Sequence, residues 1–172
     1  MVWKCQPDGQ IAGRIGDRDK ERDIPGFVLP SPYLDVEWAP DGLLRVNNPG
    51  RHRVEFYTPD GHLELAWGRP GMAIECFSGC CNPINLALLP DGTVVTCEKG
   101  LPRVKLHSPH GEFLGVVAGV EMFPDNAKTG AGEGFGDGVR ASLDAVTDPE
   151  GRVYILDTVT RQIHVMEPLE TT

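Results

Sequence analysis

Short runs of apolar and β-branched residues, four or five long, recur along the chain between clusters of glycine, proline and aspartate, and nowhere does an apolar period of 3.6 persist. Residues 43–46, 53–57, 93–96, 103–107, 152–156 and 162–166 are such runs, filled mainly by Val, Leu, Ile and Tyr. This pattern predicts half-buried strands joined by tight hairpins, with little or no helix.

The turns repeat on a fixed ruler. A Pro-Asp/Glu-Gly turn is followed nineteen residues later by a second proline turn: Pro40 to Pro59, Pro90 to Pro109, Pro149 to Pro168. Each copy reads as strand, turn, strand, loop, strand, turn, strand. Copied units that cannot each enclose a core must stack on one another.

Three stretches resemble NHL repeats: Val46-Asn-Asn-Pro-Gly-Arg-His-Arg53-Val-Glu-Phe, Val95-Thr-Cys-Glu-Lys-Gly-Leu-Pro-Arg103-Val-Lys-Leu, and Arg152-Val-Tyr-Ile-Leu-Asp-Thr-Val-Thr-Arg161-Gln-Ile-His-Val. In that family an acidic or amide residue ends one strand and an arginine opens the next. Here Asn48, Glu98 and Asp157 take the first place, and Arg53, Arg103 and Arg161 the second. The segment from Phe77 to Arg103 is also similar to uncharacterised bacterial NHL-repeat proteins carrying Gly-Cys-Cys-Asn-Pro and Glu-Lys-Gly. The resemblance implies an all-β propeller of four-stranded antiparallel blades, the first strand of each lining the axis. It names no activity, because one fold hosts many.

The opening residues align with the third and fourth strands of a blade, so the expected organisation is a half blade at 1–16, blades at 27–71 and 74–123, and an incomplete blade at 130–172, about three blades in all. Propellers close with about four to eight blades. Two readings follow. The chain is a piece of a longer propeller, or two copies form a homodimer that completes a ring of about six blades. An open arc would leave edge strands bare.

Composition narrows the function classes. Acids exceed bases by 25 to 16, for a formal charge of −9, which argues against nucleic acid, whose binding rests on clustered Lys and Arg. The one compact basic group, Arg51-His52-Arg53, reads as solvated loop charge, as does the mixed segment 17–23. No apolar run approaches the roughly 18 residues of a membrane span, and no export leader is expected. The glycine-rich stretch at 130–138 reads as a blade connection, since a phosphate cradle precedes a helix and none is expected there.

Four cysteines are the most pointed chemistry. Cys76, Cys80 and Cys81 lie in the connection entering the second blade, and Cys97 ends that blade's second strand, so their sulfurs are expected to gather near one upper rim. A disulfide to Cys97 would imply a periplasmic or extracellular setting. A zinc or iron–sulfur site would need three thiolates aimed at one point, which adjacent Cys80 and Cys81 make hard. Plain buried thiols are the third reading. No cofactor is expected outside that zinc or iron–sulfur alternative.

Catalytic constellations are otherwise missing from the sequence. The five histidines do not converge, and Asn82, Asn85, Asp144, Glu37 and Asn47 read first as residues that cap strands and satisfy loop backbone, with a metal-dependent lyase or lactonase as the lesser reading. The expectation is therefore a non-enzymatic scaffold that binds a protein partner or ligand through an upper face built from Asn48, Arg51, His52, Cys76 to Cys81, Glu98, Lys99, Asp157 and Arg161.

Overall fold

The computed structural model describes residues 1–130 and 141–168. Thirteen strands fall among them: β1 (Val2–Cys5), β2 (Ile11–Ile15), β3 (Val36–Trp38), β4 (Leu44–Asn48), β5 (Arg53–Tyr57), β6 (Leu63–Trp67), β7 (Asn85–Leu88), β8 (Val94–Glu98), β9 (Arg103–His107), β10 (Phe113–Ala118), β11 (Leu143–Thr147), β12 (Val153–Asp157) and β13 (Gln162–Met166). They form four antiparallel sheets, β1-β2, β3-β4-β5-β6, β7-β8-β9-β10 and β11-β12-β13. The inner strands β3, β7 and β11 lie side by side, which gives the sheets the radial order of a partial propeller. Among the described residues helix is confined to one 3-10 turn, Pro49–Arg51, and α1 (Pro124–Gly130), which begins at a proline, a residue suited to the first helical turn. The glycine-rich connection beyond Gly130 lies outside the described residues.

One turn is used six times. At Pro7, Pro40, Pro59, Pro90, Pro109 and Pro149 the proline supplies a fixed φ near −65°, and the glycine two residues on, with φ between 80° and 88°, donates its N–H to the residue before the proline. The Asp of several turns closes the loop further: Asp8, Asp41 and Asp91 each accept the N–H two residues ahead, at 2.9–3.0 Å.

Strand alternation then sorts side chains between neighbouring sheets. Ile15, Leu44, Val46 and Tyr57 pack between β1-β2 and the first four-stranded sheet. Val54, Phe56, Trp67, Phe77, Leu86 and Val94 fill the next interface, and Val95, Cys97, Val104, Leu143, Ala145, Val153 and Ile155 the one after. Val54 and Val104 hold the second position of their third strands, and Ile163 holds that position in β13. Ile163 is 66% exposed, with Val146, Val165 and Leu156 also exposed around it, because no further sheet covers this face among the described residues.

Candidate functional site

The acceptor that ends each second strand is buried and turns back on its own connector. Asn48 accepts the Val28 N–H at 2.9 Å and donates to Gly26 O and Glu55 Oε1. Glu98 accepts the Ser78 N–H at 2.7 Å. Asp157 accepts the Asn126 amide at 3.2 Å and the Val159 N–H at 2.9 Å, and these bonds hold its carboxyl below its ordinary range even though burial pushes it the other way. In every copy one side chain therefore fastens the segment that enters its blade. Relative exposures of 0% for Asn48 and Glu98 and 1% for Asp157 take all three off the binding face expected from the sequence. Each spends part of its hydrogen-bonding capacity on loop backbone and the rest on buried polar side chains.

The arginine half of the motif needs one correction. Arg53 lies across from Asn48 and Arg103 across from Glu98, but Gln162, not Arg161, lies across from Asp157. Arg161 sits one residue earlier, with φ of 59°, the place held by His52 with φ of 55° in the first copy. Arg161 is exposed, and its N–H bonds the Asp157 carbonyl at 2.8 Å.

The second blade elaborates its fastening into a buried ionic cluster. Glu98 receives Arg103 Nε at 2.6 Å and Lys105 Nζ at 3.1 Å. Arg103 and Lys105 also donate to Cys76 O, and Lys105 to Ile74 O. Burial pulls the Lys105 ammonium below its ordinary pKa while the Glu98 charge works to hold it up. Two residues on, His107 is 1% exposed and lies against the rings of Trp67, Phe77 and Phe113, with neither ring nitrogen hydrogen-bonded among the described residues. Burial, reinforced by the Lys105 charge, lowers its pKa to about 4. Sequence reasoning missed this column. Its only signal was the every-other-residue spacing of Arg103, Lys105 and His107 on one face of a strand.

The cysteine-bearing connection is fixed by this cluster, yet its sulfurs do not gather. All five cysteines are free thiols. Cys76 is buried beside Arg69 Nε at 3.3 Å, and Cys97 lies in the apolar interface, where burial first and then the charges of Asp144, Asp35 and Glu98 push its thiol far up. Cys80 and Cys81 alone meet, Sγ to Sγ at 3.3 Å. No group of three or more His, Cys, Asp or Glu side chains is placed to hold a metal among the described residues. The chain's direction explains why Cys97 stays apart: strand alternation in β8 points it toward the third blade rather than toward the loop.

Asn82 organises the outer part of the loop. Its Nδ2 donates to Ser78 O at 2.7 Å and Lys99 O at 2.9 Å, and its Oδ1 accepts the Lys99 N–H at 2.9 Å. Lys99 then extends beside Cys81, with Nζ 4.9 Å from the centre of the Tyr33 ring. His52 Nε2 reaches Gly79 O at 2.8 Å, joining the first blade's loop to this one, while Arg51 donates to Pro25 O and Gly26 O. The basic group is thus ordered rather than merely solvated, Arg53 pairing with Glu55 at 2.6 Å.

Around the axis, amides and acids do cap backbone. Asn47 donates to Pro83 O and Ile84 O, Asn85 to Leu143 O, and Asp35 accepts the Leu86 N–H at 2.9 Å. Burial, with Asp144 nearby, raises the Asp35 carboxyl, and burial with Asp35 raises Glu37. At the opposite rim a shallow cleft of about 450 Å³ opens between Glu37, Pro40, Leu88, Pro90, Thr147 and Pro149.

No family model matches the chain, and no curated protein sequence does. Among solved structures it is similar to a glutaminyl cyclase from Myxococcus xanthus, with a TM-score of 0.52 and 16% identity over 81% of this chain and 58% of that one. It is also similar to a catalytically inactive virginiamycin B lyase from Staphylococcus aureus with quinupristin, with a TM-score of 0.50 and 11% identity over 96% of this chain and 47% of that one. The chain spans about half the length of these propeller-like structures. At such identities the likeness concerns the fold.

Proposed function

We propose that the chain is an NHL-type propeller scaffold that binds a protein partner or ligand through its upper loops, without catalysis of its own. The observation that supports this most directly is the repeated fastening of each connector by Asn48, Glu98 and Asp157, which makes the upper rim rigid while leaving Arg161, Cys80 and the outer edge of His52 available. A preorganised rim lowers the ordering cost of association. Arg161 and His52 put basic groups on this rim of a chain of net charge −9, so an acidic segment is the complementary partner. The apolar outer face of β11-β13 is, in this reading, the surface on which a second copy completes the ring.

A fluorescently labelled poly-glutamate peptide tests the rim. Saturable binding that weakens with salt and is lost in an Arg161→Glu, His52→Glu double variant is the expected result. Absence of binding, or equal binding by the variant, would reject it, and sedimentation of the purified chain reads out the second copy independently. Both named neighbours are enzymes by their names, so catalysis on this fold is the rival class, and a thiolate-bound zinc or iron–sulfur centre is the other. The latter needs the loop to bring Cys76 or Cys97 to the Cys80–Cys81 pair, and metal analysis with a visible absorption spectrum decides it.

A further inference from the structure

Cys80 and Cys81 differ in the two properties that matter for thiol chemistry. Cys80 is exposed and Cys81 is buried, yet their sulfurs are 3.3 Å apart. Lys99, held at both its N–H and its carbonyl by Asn82, brings its ammonium to Cys81. Burial disfavours a thiolate there, but contacts with Lys99, Cys80 and Ser31 outweigh it and keep the Cys81 thiol below its usual range, while the neighbouring Cys81 pushes Cys80 up. Of the two, Cys81 is therefore the thiol whose charged form its surroundings favour.

The segment carrying the pair is anchored on both sides. Ser78 is bonded to Glu98 and Asn82 to Lys99, whereas Gly79, with φ of 71°, and Cys80 between them are exposed. Two sulfurs are too few for a closed metal site. A bare structural thiol, on the other hand, needs neither an exposed neighbour nor a lysine. An exposed sulfur with a second, charge-stabilised sulfur behind it fits exchange with a disulfide, in which one thiol captures and the other resolves.

We propose that Cys80 and Cys81 are a vicinal redox pair that exchanges with small-molecule disulfides, Cys80 capturing the substrate and Cys81, set beside Lys99, resolving it. In the first step Cys80 loses its proton to solvent and its thiolate attacks one sulfur of RS–SR. A Cys80–SR bond forms, the RS–SR bond breaks, and RS⁻ leaves to be protonated by solvent. In the second step Cys81, having lost its proton to solvent, attacks Cys80 Sγ; the Cys80–Cys81 bond forms and a second RS⁻ leaves. Two protein thiols are oxidised and one disulfide is reduced to two thiols. A dithiol reductant reverses the sequence.

The full chain is incubated with oxidised glutathione, quenched by alkylation and read by intact and peptide mass spectrometry. The wild type loses two alkylatable thiols, mapped to Cys80 and Cys81, without accumulating an adduct, and dithiothreitol restores both. Cys81→Ser retains one glutathionyl group on Cys80, and Cys80→Ser acquires neither adduct nor disulfide. Lys99→Met slows the second step severalfold, because Cys81 loses the ammonium that favours its thiolate while the more basic thiolate regains part of the rate, so that the mixed disulfide becomes visible. A wild-type chain that stops at a stable adduct, or a Cys80→Ser variant modified at Cys81 as fast as the wild type at Cys80, overturns the proposal. Circular dichroism of each variant establishes that the sheets are intact. The peptide-binding test above involves no oxidant, so the two ideas fail separately.

Discussion

His107 should make the molecule acid-sensitive in a way that one substitution removes. Its ring lies within 4.9 Å of Trp67 and 5.6 Å of Phe77, centre to centre, and its pKa falls from 6.5 to about 4 on folding. Between those values the unfolded chain carries a proton that the folded chain refuses, so stability falls as pH falls. For a single group with those two values, the loss between pH 7 and pH 5 is about 2 kcal/mol. His107→Phe keeps an aromatic ring in the cage and removes both the titration and two unbonded buried nitrogens. Urea unfolding of both proteins at the two pH values measures the difference. The wild type should lose about 2 kcal/mol more than the variant over the interval, and at pH 7 the variant should be no less stable by more than about 1 kcal/mol. Equal pH dependence in the two proteins would show that the ring is protonated in the folded state and that its burial has been misjudged.

Glu98→Ala strands Arg103 and Lys105 in the interior and should cost about 3–5 kcal/mol in the same assay, with accelerated proteolysis between residues 74 and 81. Asn48→Ala should lose amide-exchange protection at Val28 while leaving Ser78 protected, since each fastening serves only its own connector. Gly111→Ala and Gly151→Ala share the same turn, with φ of 88° and 83°, but a Cβ at Gly111 would lie 2.4 Å from the Trp67 ring and one at Gly151 meets open space. Thermal denaturation should therefore find Gly151→Ala worse by about 1 kcal/mol from strain alone and Gly111→Ala worse by about 3 kcal/mol or more.

The strands were legible because turn chemistry is local. Proline and glycine impose their dihedral angles wherever they stand, so the six turns delimited strands to within one or two residues. What was not legible was the destination of polar side chains. Asn48, Glu98 and Asp157 sit next to Gly, Pro and Thr in loops, the composition of an exposed rim, and only the return path of the preceding connector buries them. Cys97 misled for a related reason. The chain position of a strand end fixes its height on the blade, but the parity of the strand fixes which neighbour it faces, and parity turned Cys97 into the core. Lys105 and His107 escaped notice because a cation or imidazole between aliphatic residues reads as the solvent face of an edge strand, whereas here both faces of β9 are covered.

Because the residue that grips each connector belongs to the same blade as that connector, a segment duplicated whole carries its own latch with it. Asn, Glu and Asp each fill the place, so the identity of the latch is free to drift provided it still accepts an amide proton. Connectors are then free to diverge in length and chemistry one at a time, as a thiol-bearing loop in one blade and a short helix before another illustrate, without loosening the blades on either side.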